Sequence, residues 1–120
     1  HSVARALTDK HLQDREIIND ITSVLLPVIL CSLASTGDIS EIKRMHEVEG
    51  VNLNLSDYDR RHPLHIAACE GKLELVKYLV ENGAVVNIHD RWGHTPYSEA
   101  LRSGHHDVAE YLLLNGAKLA

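Results

Sequence analysis

Asp57-Tyr58-Asp59-Arg60-Arg61-His62-Pro63-Leu64-His65-Ile66-Ala67-Ala68-Cys69-Glu70-Gly71 decides the fold, because it returns in register as Asp90-Arg91-Trp92-Gly93-His94-Thr95-Pro96-Tyr97-Ser98-Glu99-Ala100-Leu101-Arg102-Ser103-Gly104. Asp57 and Asp90, Pro63 and Pro96, Gly71 and Gly104, and Gly83 and Gly116 are each 33 residues apart. A fixed step of that size marks units that stack on their neighbours, because one such unit cannot bury its apolar face alone.

With its Thr95-Pro96 cap and its Pro63-Leu64-His65-Ile66-Ala67 run, the repeating unit resembles the ankyrin repeat. That resemblance implies an all-α ankyrin-repeat solenoid of helix-turn-helix units with short β-hairpin loops. The expected parts are an N-terminal capping helix region over 1–29, a divergent repeat over 30–56, a repeat over 57–89 and a terminal repeat over 90–120. In each inner helix a proline suits the first helical position, where its missing N–H is harmless. Gly37, Gly71 and Gly104 fit the left-handed position that closes it. Arg60 stands where Gly93 stands one repeat later, so a positive φ there would cost about 1 kcal/mol. His62 replaces threonine as a weaker cap, and Ser98 replaces the histidine represented by His65, which is expected to bond across repeats.

The bulk composition agrees. The chain has 120 residues, enough for one domain, with 44% hydrophobic residues but only 4% aromatic and no Phe, so the core must be aliphatic. A net charge of -5 argues against nucleic acid or an anionic membrane surface as partner. No apolar run reaches the roughly 18 residues of a membrane span, and 24–33 reads as a buried helix. No signal peptide is visible, and the expected location is cytoplasmic. Cys31 and Cys69 read as free, buried thiols. The sequon Asn54-Leu55-Ser56 is expected to be idle.

Upstream, Ile17, Ile18, Ile21, Val24, Leu25, Val28 and Ile29 recur at helical spacing and read as the face of a helix sealing the stack. Pro27 is tolerable if a new helix starts there. Leu30, Leu33, Ala34 and Gly37 precede Leu64, Ala67, Ala68 and Gly71 by 34, whereas Gly50 and Asn54 precede Gly83 and Asn87 by 33. One extra residue must therefore lie within 38–49, in or after the second helix. Asp38 with Glu41 reads as a capping box. In the third repeat Glu99 replaces Ile66, His106 replaces Leu73 and Ala109 replaces Val76; polar or small residues suit stacking positions with no following neighbour, so the array is expected to end there.

Residues that could carry chemistry are few. Ser40-Glu41-Ile42-Lys43 matches a serine–lysine nucleophile tetrad, but its companion motifs are missing and it lies on a charged helix face. His62 and His65 lack a cysteine or carboxylate at ligand spacing, and His105 and His106 diverge by about 100° on a helix. His89 and His94 flank a turn as solvated loop residues. The chain is expected to be no enzyme, to hold no cofactor and no metal, and to bind a protein partner or its own parent enzyme domain. The binding surface should join the hairpin tips to the exposed side of the inner helices: Tyr58, Asp59, Arg61, Cys69, Glu70, Arg91, Trp92, His94, Arg102 and Ser103. Tyr, Trp and Arg are the usual hot-spot residues. Trp92 is either offered to a partner or folded back onto the adjacent hairpin.

Leu26-Pro27-Val28-Ile29-Leu30-Cys31, followed by Ala34 and Thr36-Gly37-Asp38, resembles the lead-in to the ankyrin region of animal cytosolic type I asparaginases, also called 60 kDa lysophospholipases. The resemblance runs from about residue 21 to 120 and implies a C-terminal appendage behind a hydrolase domain that converts L-asparagine to aspartate and ammonia. The threonine-glycine-glycine-threonine segment of those enzymes is absent. Asp57-Tyr58-Asp59, Ala67-Ala68-Cys69-Glu70-Gly71, Asp90-Arg91-Trp92 and Gly104-His105-His106-Asp107-Val108 also resemble the ankyrin region of glutaminases. Asp-Arg-Trp-Gly with Thr-Pro further resembles ankyrin segments of plant protein kinases, so an unrelated signalling protein is a third possible carrier.

Overall fold

The computed structural model describes residues 23–119. Helix α1 covers 23–36 of these. It is followed by α2 Ile39–Glu47, α3 Pro63–Cys69, α4 Leu73–Glu81, α5 Pro96–Arg102 and α6 His106–Leu114. Among the described residues there is no β-strand; the expected hairpins are hydrogen-bonded turns that project between helix pairs.

The inner helices start as their sequences dictate. Pro63 and Pro96 occupy first-turn positions. At α5, Thr95 N–H donates to Ser98 Oγ at 2.9 Å and Ser98 N–H donates to Thr95 Oγ1 at 3.1 Å, a reciprocal cap. At α3, His65 does the work of Ser98: its Nδ1 accepts the His62 N–H at 3.0 Å, while His62 turns its own ring to the Arg60 carbonyl at 3.0 Å. The Asp38–Glu41 box is only half formed. Asp38 Oδ1 accepts the Glu41 N–H at 3.2 Å, but the Glu41 carboxylate pairs with Arg44, a cation one turn along.

Small residues let neighbouring helices approach. Ala34, Ala67, Ala68 and Ala100 are fully buried, and Leu64, Leu75, Val76, Leu79, Val108 and Leu112 fill the space between α3, α4, α5 and α6. Each such large aliphatic side chain contributes about 1.5–3 kcal/mol by leaving water, so Leu79→Ala would open the middle of the stack. His65 is buried with them, as its inter-repeat role requires.

Several expectations change. The first helix does not restart at Pro27 but runs through it. Pro27, Leu30, Cys31 and Ala34, spaced i, i+3, i+4 and i+7, are its buried stripe. That stripe turns Val24, Leu25, Val28 and Ile29 outward, where they are 66%, 48%, 50% and 47% exposed. Ile17, Ile18 and Ile21 lie outside the described residues. The extra residue of the first repeat falls after its second helix: α2, α4 and α6 have nine residues each, but two residues, Val48 and Glu49, separate α2 from Gly50 where only Asn82 and Asn115 precede Gly83 and Gly116. In the third repeat Glu99 is 0% and Ala109 4% exposed, so both point into the stack rather than out of its end; His106 is exposed.

Candidate interaction surface

Two aspartates build the two hairpin tips alike. Asp57 Oδ1 accepts the N–H groups of Asp59 and Arg61, both at 2.9 Å. Asp90 Oδ1 accepts those of Trp92 at 2.9 Å and His94 at 2.8 Å. The first tip closes with Arg60 in the left-handed region at φ 58, the only non-glycine there among the described residues. Arg91 N–H donates to the Asp59 carbonyl at 2.8 Å and its guanidinium lies 3.4 Å from Asp59 Oδ1, so the tips are tied side by side.

This construction leaves Tyr58 95% and Trp92 57% exposed. Trp92 therefore does not fold back onto the adjacent hairpin; the Arg91 guanidinium sits 6.0 Å from its ring instead. Such an exposed cation–π contact is worth about 0.5–1 kcal/mol.

Beneath the tips, His65 Nε2 lies 2.9 Å from the His94 carbonyl and 3.1 Å from that of Ile88, two acceptors that call for a proton on Nε2. Its Nδ1 is already an acceptor, so the ring is held neutral. Burial lowers its pKa, and lowers that of His62 as well. For Asp90, burial alone would raise the pKa. The N–H groups of His94 and Trp92 outweigh burial and hold it below the usual carboxylate value.

On α5 the fully buried Glu99 gathers two guanidinium groups and an imidazole from three places. Arg102 Nη2 is 2.8 Å from both carboxylate oxygens, Arg61 Nη2 is 3.8 Å from Oε2, and His94 Nδ1 is 3.1 Å from Oε1. Removing those partners would leave a buried charge uncompensated, a change that costs about 3–5 kcal/mol.

The structure thus gathers Asp59, Arg61, Arg91, Trp92, His94 and Arg102 into one surface, with Tyr58 standing at its first tip. Cys69 Sγ and Ser103 Oγ meet at 3.5 Å across α3 and α5, and Glu70 is exposed at the end of α3. Asp90 and Glu99 are the functional candidates that motif reading passes over. The signal for Glu99 was Arg102 one turn later, with an arginine and a histidine at the tip positions 61 and 94. Ser40 and Lys43 are exposed on α2, and Lys43 Nζ lies 5.3 Å from the Tyr78 ring centre rather than at a nucleophile. Cys31 and Cys69 are both free, Cys31 buried and Cys69 half-buried. Burial, then the charge of Asp57, pushes the Cys31 thiol up to about 12. No helix among the described residues is long and apolar enough to cross a membrane.

A family model described as ankyrin repeats, in three copies, matches residues 30–120. The L-asparaginase of Dirofilaria immitis is 34% identical over 110 residues, covering 92% of this chain and 18% of that protein. Serine/threonine-protein kinase 12 of Arabidopsis thaliana is 37% identical over 105 residues, covering 88% of this chain and 23% of the kinase. Putative glutaminase 2 of Caenorhabditis elegans is 42% identical over 89 residues, 73% of this chain and 14% of that protein. Among solved structures, one of the chains in the complex of the Bd0816 predatory endopeptidase from Bdellovibrio bacteriovorus with immunity protein Bd3460 aligns with TM-score 0.71 and 30% identity, over 75% of this chain and 47% of that one. The chain spans less than a quarter of the length of these curated relatives.

Proposed function

Because the chain belongs to the ankyrin-repeat family, we propose that it is a non-catalytic protein-interaction or assembly module, carried in the cytoplasm by an L-asparaginase. The observation that carries the interaction role is the coupled pair of hairpin tips. Hydrogen bonds fix the backbone of both tips and leave Tyr58 and Trp92 exposed beside Arg91, so little backbone ordering entropy remains to be lost on binding. Support for an asparaginase parent comes from the 110-residue similarity, which is longer than the matched stretch 30–120 and so reaches into the sequence before residue 30. The kinase similarity, over 105 residues, also extends beyond that stretch, and the asparaginase reading rests on the Leu26-Pro27-Val28-Ile29-Leu30-Cys31 segment. A glutaminase parent is the second reading, favoured by 42% identity within the repeats.

The test is calorimetric titration of this chain into the catalytic regions of an asparaginase and of a glutaminase, with ammonia release measured alongside. The chain alone should release no ammonia from asparagine or glutamine. It should bind the asparaginase region, and Tyr58→Ala with Trp92→Ala should cost about 2 kcal/mol or more, roughly thirtyfold in affinity. Turnover by the chain itself, or equal binding by the double variant, would sink the reading.

A further inference from the structure

Asp90, His94 and Glu99 place one donor atom each within 4.8 Å of one another at the foot of the second hairpin tip. The Asp90 side chain is fully buried, its Oδ1 is spent on the tip, and its Oδ2 has no hydrogen-bond partner. An orphaned buried acceptor costs about 1–3 kcal/mol, more when charged, and so calls for an explanation. His94 Nδ1 stands between the two carboxylates, 3.6 Å from this oxygen and 3.1 Å from Glu99 Oε1, and the carboxylate oxygens lie within 4.8 Å of each other. A tetrahedral ion with bonds of about 2.1 Å holds its ligand atoms about 3.4 Å apart. The two separations bracket that value.

We propose that Asp90 Oδ2, His94 Nδ1 and Glu99 Oε1 form a zinc-binding site, contrary to the expectation of no metal drawn from histidine spacing alone. One imidazole nitrogen with two carboxylate oxygens suits zinc, and the half-exposed His94 leaves a side open for water as fourth ligand. Arg102 is the competing cation. It grips Glu99, but its side chain is 58% exposed and free to swing into solvent when the ion enters. Arg61, 23% exposed and behind Glu99, stays to balance the second carboxylate oxygen. A bound ion would clamp the tip carrying Trp92 to helix α5.

The chain, stripped with chelator, is titrated with zinc chloride by calorimetry and by the fluorescence of its single tryptophan, Trp92. One equivalent should bind. Asp90→Asn keeps Oδ1 for the tip and so leaves the fold intact by circular dichroism, yet removes a ligand; it and His94→Gln should each weaken binding about tenfold or more. Arg102→Gln should tighten it, and His105→Gln with His106→Gln should leave it unchanged. Absence of saturable uptake, or uptake that survives either Asp90→Asn or His94→Gln, overturns the proposal.

Discussion

Gly71→Ala and Gly104→Ala change equivalent positions at the ends of the two inner helices, and the structure says they should differ. Both glycines have left-handed backbones, φ 70 and φ 77. An alanine at either carries about 1–2 kcal/mol of steric strain, offset by about 0.4–1 kcal/mol from a stiffer unfolded chain. Gly104→Ala stops there, because nothing lies within 4 Å of its added Cβ. At Gly71 the new Cβ would sit 2.5 Å from His105 Nδ1 and 2.6 Å from Cε1, so the ring must move. Overpacking of that kind adds about 1–3 kcal/mol. The expected losses are therefore about 1 kcal/mol for Gly104→Ala and about 2–4 kcal/mol for Gly71→Ala, the latter also lower in melting temperature by about 4–8 °C per extra kcal/mol. Urea unfolding followed by far-ultraviolet circular dichroism measures both. His105 makes no side-chain cap bond at the start of α6. Adding His105→Ala to Gly71→Ala should therefore recover the clash and return the loss to that of Gly104→Ala. Equal losses for the two glycines, or no rescue by His105→Ala, would refute the reasoning.

Stability should also fall with acid. His65 and His62 have native pKa values lowered by burial, so the unfolded chain takes up protons near pH 6.5 that the native state refuses. Their contribution is present above that pH and lost as pH falls toward the native values; the urea midpoint should drop from pH 7.5 to 5, with a shallower slope in His65→Ala, and an unchanged slope in that variant would count against the assignment. Iodoacetamide at pH 8 should alkylate Cys69 in the native chain and Cys31 only on unfolding, because burial holds the Cys31 thiol up to about 12; mass spectrometry showing equal rates would contradict this. Arg60→Gly should raise the unfolding free energy by up to about 1 kcal/mol, the relief of strain at φ 58 less the entropy of a looser unfolded chain, seen as a higher urea midpoint, and a lower midpoint would exclude strain there.

What could be read from sequence alone was local or periodic. The 33-residue step located the repeats, the prolines located the starts of α3 and α5, and Arg60 in a glycine position was recognisable as strained. His65 could be placed because Pro63-Leu64-His65 matches the position at which the ankyrin repeat carries its cross-repeat histidine. Features decided by neighbours were harder to read. Around Pro27 two apolar stripes overlap on one helix, and only packing selects Pro27, Leu30, Cys31 and Ala34 as the inward one. Glu99 looked like a solvent-facing substitution because its partners Arg61, His94 and Arg102 come from different elements. Glu41 had two local partners within reach, and it takes the cation.

Helix α1 has a mechanical consequence. Its 14 described residues run unbroken through Pro27, a rod about 20 Å long at the usual helical rise. Its second half is clamped by Leu30, Cys31 and Ala34. Pro27 belongs to the same buried stripe, so the contact with the stack reaches back into the first half of the helix. Because one helix carries the whole stripe, a larger residue at Ala34 would have to tilt α1 as a unit and so disturb the seats of Pro27, Leu30 and Cys31 together.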